Sequence, residues 1–169
     1  MKSNLKQTSV QADHIVRTCP IIYSTTCSYA IRAMSRLAMI KPQGYVSLQA
    51  VCEGSDLPAT FIAKIFGELV RSGLLSSAKG RGGGFALTRK PNEITLSDIV
   101  SVIDGDEQYT RCVVGLSQCD DRQPCAQHDY FKPIRTQILR YLSTTTLDQM
   151  SEALVKKLEL IGMPMPCAH

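Results

Sequence analysis

The stretch from Ser47 to Thr88 restricts the fold more than any other. Two short apolar stripes flank Gly54-Ser-Asp-Leu-Pro58, and after Arg71-Ser-Gly73 two further apolar segments flank Ala78-Lys-Gly-Arg-Gly-Gly-Gly84. Ser47 suits the cap of a short helix over 48–53 that stops at Gly54. Asp56 suits the cap of a following helix, with Pro58 in its first turn and Phe61, Ile62, Ile65, Phe66, Leu69 and Val70 as its apolar stripe. Two short helices joined by a tight glycine turn make a helix-turn-helix, and the hairpin behind them, Leu74–Ser77 with Phe85–Thr88, takes the place of a wing.

The glycine loop fits a wing better than a phosphate site. A Walker loop needs Gly-Lys-Ser/Thr opening a helix, whereas this loop runs into Phe85-Ala-Leu-Thr88, which reads as strand. In a wing, consecutive glycines let the backbone approach a groove while Lys79 and Arg81 bring charge to phosphates. On the helix before it, Pro58, Thr60, Phe61, Ala63 and Lys64 would face the major groove, with Phe61 equally suited to core packing. Charge follows the same division. From residue 60 to 90, Lys64, Arg71, Lys79, Arg81, Arg89 and Lys90 stand against Glu68 alone, whereas 106–129 is acidic. The charge permits a polyanionic partner, and with the helix-turn-helix and wing the expected one is double-stranded DNA.

A helix precedes the motif: Ser24-Thr-Thr offers caps, and Tyr29, Ala30, Ala33, Met34, Leu37, Ala38 and Ile40 recur at helical spacing until Lys41-Pro-Gln-Gly44. Leu96, Ile99, Val100 and Ile103 mark another, with Thr95 or Ser97 as cap. Phe131, Ile134, Ile138, Tyr141 and Leu142 form a narrow seam suited to pairing with a second copy, although Pro133 interrupts or opens that helix. A last helix covers 144–160. Aromatics make up 6% of the chain and Trp is absent, which also favours helices. The expected fold is mainly α with a small β-hairpin: a winged helix-turn-helix plus a long C-terminal dimerisation helix. Its parts would be a flexible arm at 1–22, a DNA-binding domain at 23–104, a loop at 105–129, and dimerisation and C-terminal helices at 130–169. No apolar run suits export or spanning, so a cytoplasmic protein without a membrane partner is expected, and no catalytic constellation is seen.

The loop contains Cys112, Cys119, Cys125 and His128, spaced C-x6-C-x5-C-x2-H. Seven cysteines in a chain expected in a reducing compartment point to metal or redox chemistry before disulfides. Structural zinc usually uses C-x2-4-C knuckles, which are absent here. Longer spacers around Gly115 and Pro124 suit a loop wrapped around an iron-sulfur cluster, with a zinc-stabilised or thiol-redox regulator as the alternative. Asp120 and Asp121 read as solvated, either being able to compete as an oxygen ligand. Cys27, Cys19 and His14 are reserve ligands.

Tyr29–Met34, Leu69–Ser77, Gly80–Phe85, Ile94–Val100 and the cysteine trio together resemble the bacterial regulator family that includes the iron-sulfur cluster regulator IscR, the nitric oxide sensor NsrR and the iron regulator RirA. The likeness runs from about Tyr23 to Leu160. It implies a homodimeric DNA-binding transcription regulator, not an enzyme, that senses iron-sulfur, redox or nitric oxide status. Cys112, Cys119 and Cys125 match the cluster cysteines, and His128 matches the histidine that completes the 2Fe-2S cluster of IscR-like members; other members carry other clusters, 4Fe-4S among the options. The first spacer is six residues where IscR-like chains have five. Ser28 stands where NsrR-like chains place a carboxylate ligand, which favours His128. Ala63 stands where IscR-like chains place an acidic base-reading residue, so their operator preference does not carry over.

Overall fold

The computed structural model describes residues 22–40, 44–116 and 119–162. The expected arm up to residue 21, with His14 and Cys19, the stop at Lys41-Pro-Gln43 and Cys167 lie outside the described residues. Helix α1 covers Thr25–Ile40. Ser24 caps it, its Oγ accepting the Cys27 N–H at 3.1 Å. Ala30, Ala33, Met34 and Leu37 of α1 are wholly buried and meet α2 (Leu48–Cys52), α3 (Ala59–Arg71), α4 (Leu96–Ile103) and α6 (Leu147–Leu160). α1 is therefore the axle of the fold, and its spacing of small and apolar residues is what permits four neighbours to approach it.

Two arginines on α1 fix the helix-turn-helix. Buried Arg36 donates from Nε to the Val51 carbonyl at 2.7 Å and from Nη2 to the Glu53 carbonyl, closing the open end of α2. Arg32 pairs with Asp56. Asp56 was expected to cap α3. Instead α3 begins after Pro58, which makes no side-chain cap bond, because the guanidinium across the interface claims the carboxylate. Ser47 does cap α2, accepting the Ala50 N–H at 3.2 Å.

Behind α3, β1 (Leu75–Ala78) and β2 (Gly84–Leu87) pair antiparallel, with Leu75 opposite Leu87 and Ala78 opposite Gly84. Phe85 seats this hairpin on α3 through an edge contact with Phe66 at 5.0 Å. Val46 and Phe85 exchange both backbone hydrogen bonds, at 3.0 and 2.8 Å, so the segment entering α2 is stitched to the wing.

Thr95 and Thr146 start α4 and α6 with matching capping boxes, and the two starts are joined by Leu96 N–H to Thr145 carbonyl (3.0 Å) and Leu147 N–H to Ile94 carbonyl (2.8 Å). Helix α5 covers His128–Thr144. Pro133 is its sixth residue, so the proline removes a single hydrogen bond near the helix start. The expected seam is split. Leu142 is 1% exposed and belongs to the core of its own chain, because α5 rests its last turns on α4. Ile134 and Tyr141 stay half exposed, and Phe131 and Ile138 are intermediate.

Candidate cluster loop and nucleic-acid interface

The loop between α4 and α5 is held at both ends by polar contacts. At its start the Tyr109 hydroxyl donates to the Ile22 carbonyl at 2.5 Å, and Asp104 accepts the Ser24 N–H (2.7 Å) and hydroxyl (2.5 Å). Arg135 of α5 reaches back to the Arg111 carbonyl at 2.8 Å. Inside, a turn closes from Gly115 N–H to the Cys112 carbonyl (3.0 Å) with Gly115 at φ 90°, a value that favours glycine. His128 follows a turn closed on the Cys125 carbonyl at 3.0 Å and is the first residue of α5.

The four sulfur and nitrogen donors stand as two pairs. His128 Nδ1 lies 3.3 Å from Cys119 Sγ, and Cys125 stands near enough to Cys112 to help lower its thiol. Among the described residues no three His, Cys, Asp or Glu side chains stand close enough to hold one metal ion. Cys112 and His128 are 7% and 6% exposed. The Val114 N–H, opposed in part by burial and aided by Cys125, the Leu116 N–H and Arg135, brings the Cys112 thiol below its ordinary range.

Asp121 is not simply solvated, as its place in an acidic run suggested. Its Oδ1 lies 2.8 Å from His128 Nε2, and its two oxygens accept Lys132 Nζ at 2.7 and 2.6 Å. Lys132 first, then His128, hold its carboxyl below the usual carboxylate range. Asp120 instead forms a local turn, accepting the Arg122 N–H at 2.8 Å.

Away from this loop, Pro58, Thr60, Ala63 and Lys64 are exposed at the start of α3, and Lys79 and Arg81 are exposed on the wing. Phe61 is half-buried and meets Tyr29 edge-on at 5.5 Å, which is core packing.

Residues 23–153 match the family model of Rrf2, described as an iron-dependent transcriptional regulator. The chain belongs to the Rrf2 family. IscR from Pectobacterium atrosepticum is 30% identical over 122 residues, which cover 72% of this chain and 74% of that protein. Among solved structures, CymR (YrzC), the global cysteine regulator of B. subtilis, superposes with a TM-score of 0.66 at 26% identity, covering 77% of this chain and 95% of CymR. T. potens IscR superposes with a TM-score of 0.61 at 25% identity, covering 83% and 90%. This Rrf2 protein is a transcriptional regulator, as its relatives are, and not an enzyme; its winged-helix architecture is theirs. No described helix is long and apolar enough to cross a membrane.

The Rrf2 chain keeps one reserve ligand out of reach of this chemistry. Cys27 is wholly buried among the α1 core residues, and burial, followed by Asp104, pushes its thiol up to about 12. At pH 8 its thiolate fraction is therefore on the order of 10⁻⁴, and the thiolate is the species that reacts. Brief treatment of folded apoprotein with iodoacetamide at pH 8 is expected to leave Cys27 unmodified by peptide mass spectrometry while the half-exposed Cys119 and Cys125 are labelled. Comparable labelling of Cys27 would contradict the packing role. Sequence reasoning missed Asp121 as the partner of His128 and Lys132 as the partner of Asp121; their offsets of −7 and +4 from His128 were the available signal.

Proposed function

We propose that this Rrf2 regulator binds promoter DNA as a homodimer and senses iron-sulfur, redox or nitric oxide status through a 2Fe-2S cluster held by Cys112, Cys119, Cys125 and His128. The observation that carries this is the contact of Cys119 Sγ with His128 Nδ1 at 3.3 Å in the same loop as Cys112 and Cys125, whose thiols influence one another, so that the donors fall two and two. A two-iron cluster takes two protein ligands on each iron, whereas structural zinc takes four donors around one ion. The donor chemistry fits as well, since thiolates are the soft ligands iron-sulfur clusters require and imidazole also binds iron. When bound, the cluster would supply a one-electron couple and a target for oxidants.

The chain's own contacts offer a route from loop to DNA. Tyr109 and Asp104 tie the loop and its approach to the entry of α1, and α1 holds the helix-turn-helix through Arg36 and Arg32. A change in loop order would act on that entry, and only a difference in DNA affinity between the two loop states yields a signal. Pro58, Thr60, Ala63 and Lys64 would meet the major groove, with Phe61 at its edge, while Lys79 and Arg81 follow the backbone. Tyr130, at 80% exposed, with Ile134, Leu139 and Tyr141 on α5, would form the dimer face.

Anaerobic reconstitution tests this directly. The expected product is brown, with iron and acid-labile sulfide in equal amounts near two per chain, and its affinity for its promoter changes when the cluster is removed. One zinc per chain with no sulfide would overturn the cluster. The Cys119–His128 contact also favours a second reading, a thiol-redox regulator without iron. That reading predicts a change in DNA affinity on oxidising metal-free protein, reversed by dithiothreitol and lost in Cys119→Ser.

A further inference from the structure

His128 is buried at the head of α5, yet both its ring nitrogens are engaged by specific neighbours. Nε2 lies 2.8 Å from Asp121 Oδ1, and Nδ1 lies 3.3 Å from Cys119 Sγ. An ionised carboxylate only accepts hydrogen bonds, so the shared proton between Asp121 and the ring belongs to Nε2. In the neutral ring the other nitrogen, Nδ1, then carries the free lone pair and points to the same side as the Cys119 sulfur. Lys132, one helical turn after His128, closes the arrangement by donating to both oxygens of Asp121 at 2.7 and 2.6 Å.

We infer that Asp121 is a positioning residue that fixes His128 with Nε2 protonated and Nδ1 as the metal-binding nitrogen, and that Lys132 moderates its influence. The inference rests on the cluster reading above and adds what that reading leaves open, the ligating atom and what tunes it. A carboxylate on the far nitrogen fixes the tautomer and makes the imidazole a stronger electron donor. A more basic ligand favours the oxidised cluster, so Asp121 holds the midpoint potential down and the Lys132 ammonium, by partly neutralising Asp121, raises it. The two residues therefore act in opposite directions on one observable. Neither is a ligand, and a purely structural role would not give opposite signs.

The test uses full-length protein in two states. In apoprotein at pH 8, long-range proton–nitrogen correlation spectra are expected to show His128 in the Nε2–H tautomer, with that preference lost in Asp121→Ala. In anaerobically reconstituted protein, Asp121→Ala and Asp121→Asn are expected to shift the midpoint potential upward and Lys132→Met downward, at unchanged iron and sulfide content. The asparagine variant retains an acceptor oxygen for Nε2 and carries the measurement if the alanine variant does not fold. An Nδ1–H tautomer in the wild type, or Asp121 and Lys132 variants that leave the potential unmoved or shift it the same way, would overturn the inference. Failure of the wild type to take up iron and sulfide would instead sink the cluster reading, while the apoprotein tautomer would still decide whether Asp121 orients His128. A potential altered in His128→Ala but unaltered in all Asp121 and Lys132 variants would retain the cluster and remove only this role.

Discussion

Neutralising the wing in the double variant Lys79→Gln/Arg81→Gln is expected to weaken promoter binding about thirtyfold at 0.15 M salt, since each lost phosphate contact removes about 0.9 from the slope of log K against log salt. Both side chains are exposed on the hairpin tip, and neither makes an ion pair with an Asp or Glu among the described residues, so the fold should not change. The decisive readout is the slope. Two phosphate contacts imply a slope shallower by about 1.8, with the loss of affinity similar on promoter and random duplex, because backbone contacts position a protein without reading sequence. A loss confined to the promoter at unchanged slope would mean that these side chains touch base edges. Full affinity at an unchanged slope would remove the hairpin from the interface and leave α3 to act alone.

Much of this architecture is legible in the sequence because it rests on local signals. The 3.6-residue spacing of Ile62, Ile65, Phe66 and Leu69 marks α3, and all four are buried. Ser47 and Thr95 cap helices because their hydroxyls need only reach a backbone N–H three residues on. What sequence reading misplaced depends on partners distant in the chain. Asp56 has the composition of a cap for α3, but Arg32, two helices earlier on α1, provides a charge that a helix N-terminus does not match. Leu142 has seam spacing, but the chain's own core reaches it before a second copy can. Within the loop between α4 and α5 the spacing marks candidate donors, whereas which of them meet depends on how the loop closes on α5, which no spacing encodes. Asp121 shows the same limit: in sequence it is one acid among several, and only the position of Lys132 on α5 turns it toward His128.

The glycines of the wing separate in the same way, and Gly84→Ala is expected to lower the stability of the folded chain by about 3–5 kcal/mol, combining about 1–3 for a strained backbone with about 1 for each of the two hydrogen bonds lost. Read from sequence, the whole run serves the approach to DNA. In the fold, Gly80 and Gly82 have open space where a side chain would stand, but a Cβ on Gly84 would lie 2.1 Å from the Val46 carbonyl oxygen and 2.4 Å from its carbon. Gly84 also sits at φ 150°, which residues with side chains rarely adopt. The neighbour is backbone and cannot rotate away, so the Val46–Phe85 hydrogen bonds at 3.0 and 2.8 Å must open. Those bonds join the approach to α2 to the wing, and opening them loosens the recognition unit where its two halves meet. In thermal unfolding the cost corresponds to a midpoint lower by about 10 °C for a domain of this size. Gly67→Ala supplies the contrast: Gly67 is within α3, its Cβ would meet only Arg71 Nη1 at 3.7 Å, and the substitution should stabilise by up to about 1 kcal/mol from helix propensity. Equal midpoints for wild type and Gly84→Ala would show that the wing and the α2 approach move apart at little cost, and the stitch through Val46 would then contribute nothing to holding α3 and the hairpin in register on DNA.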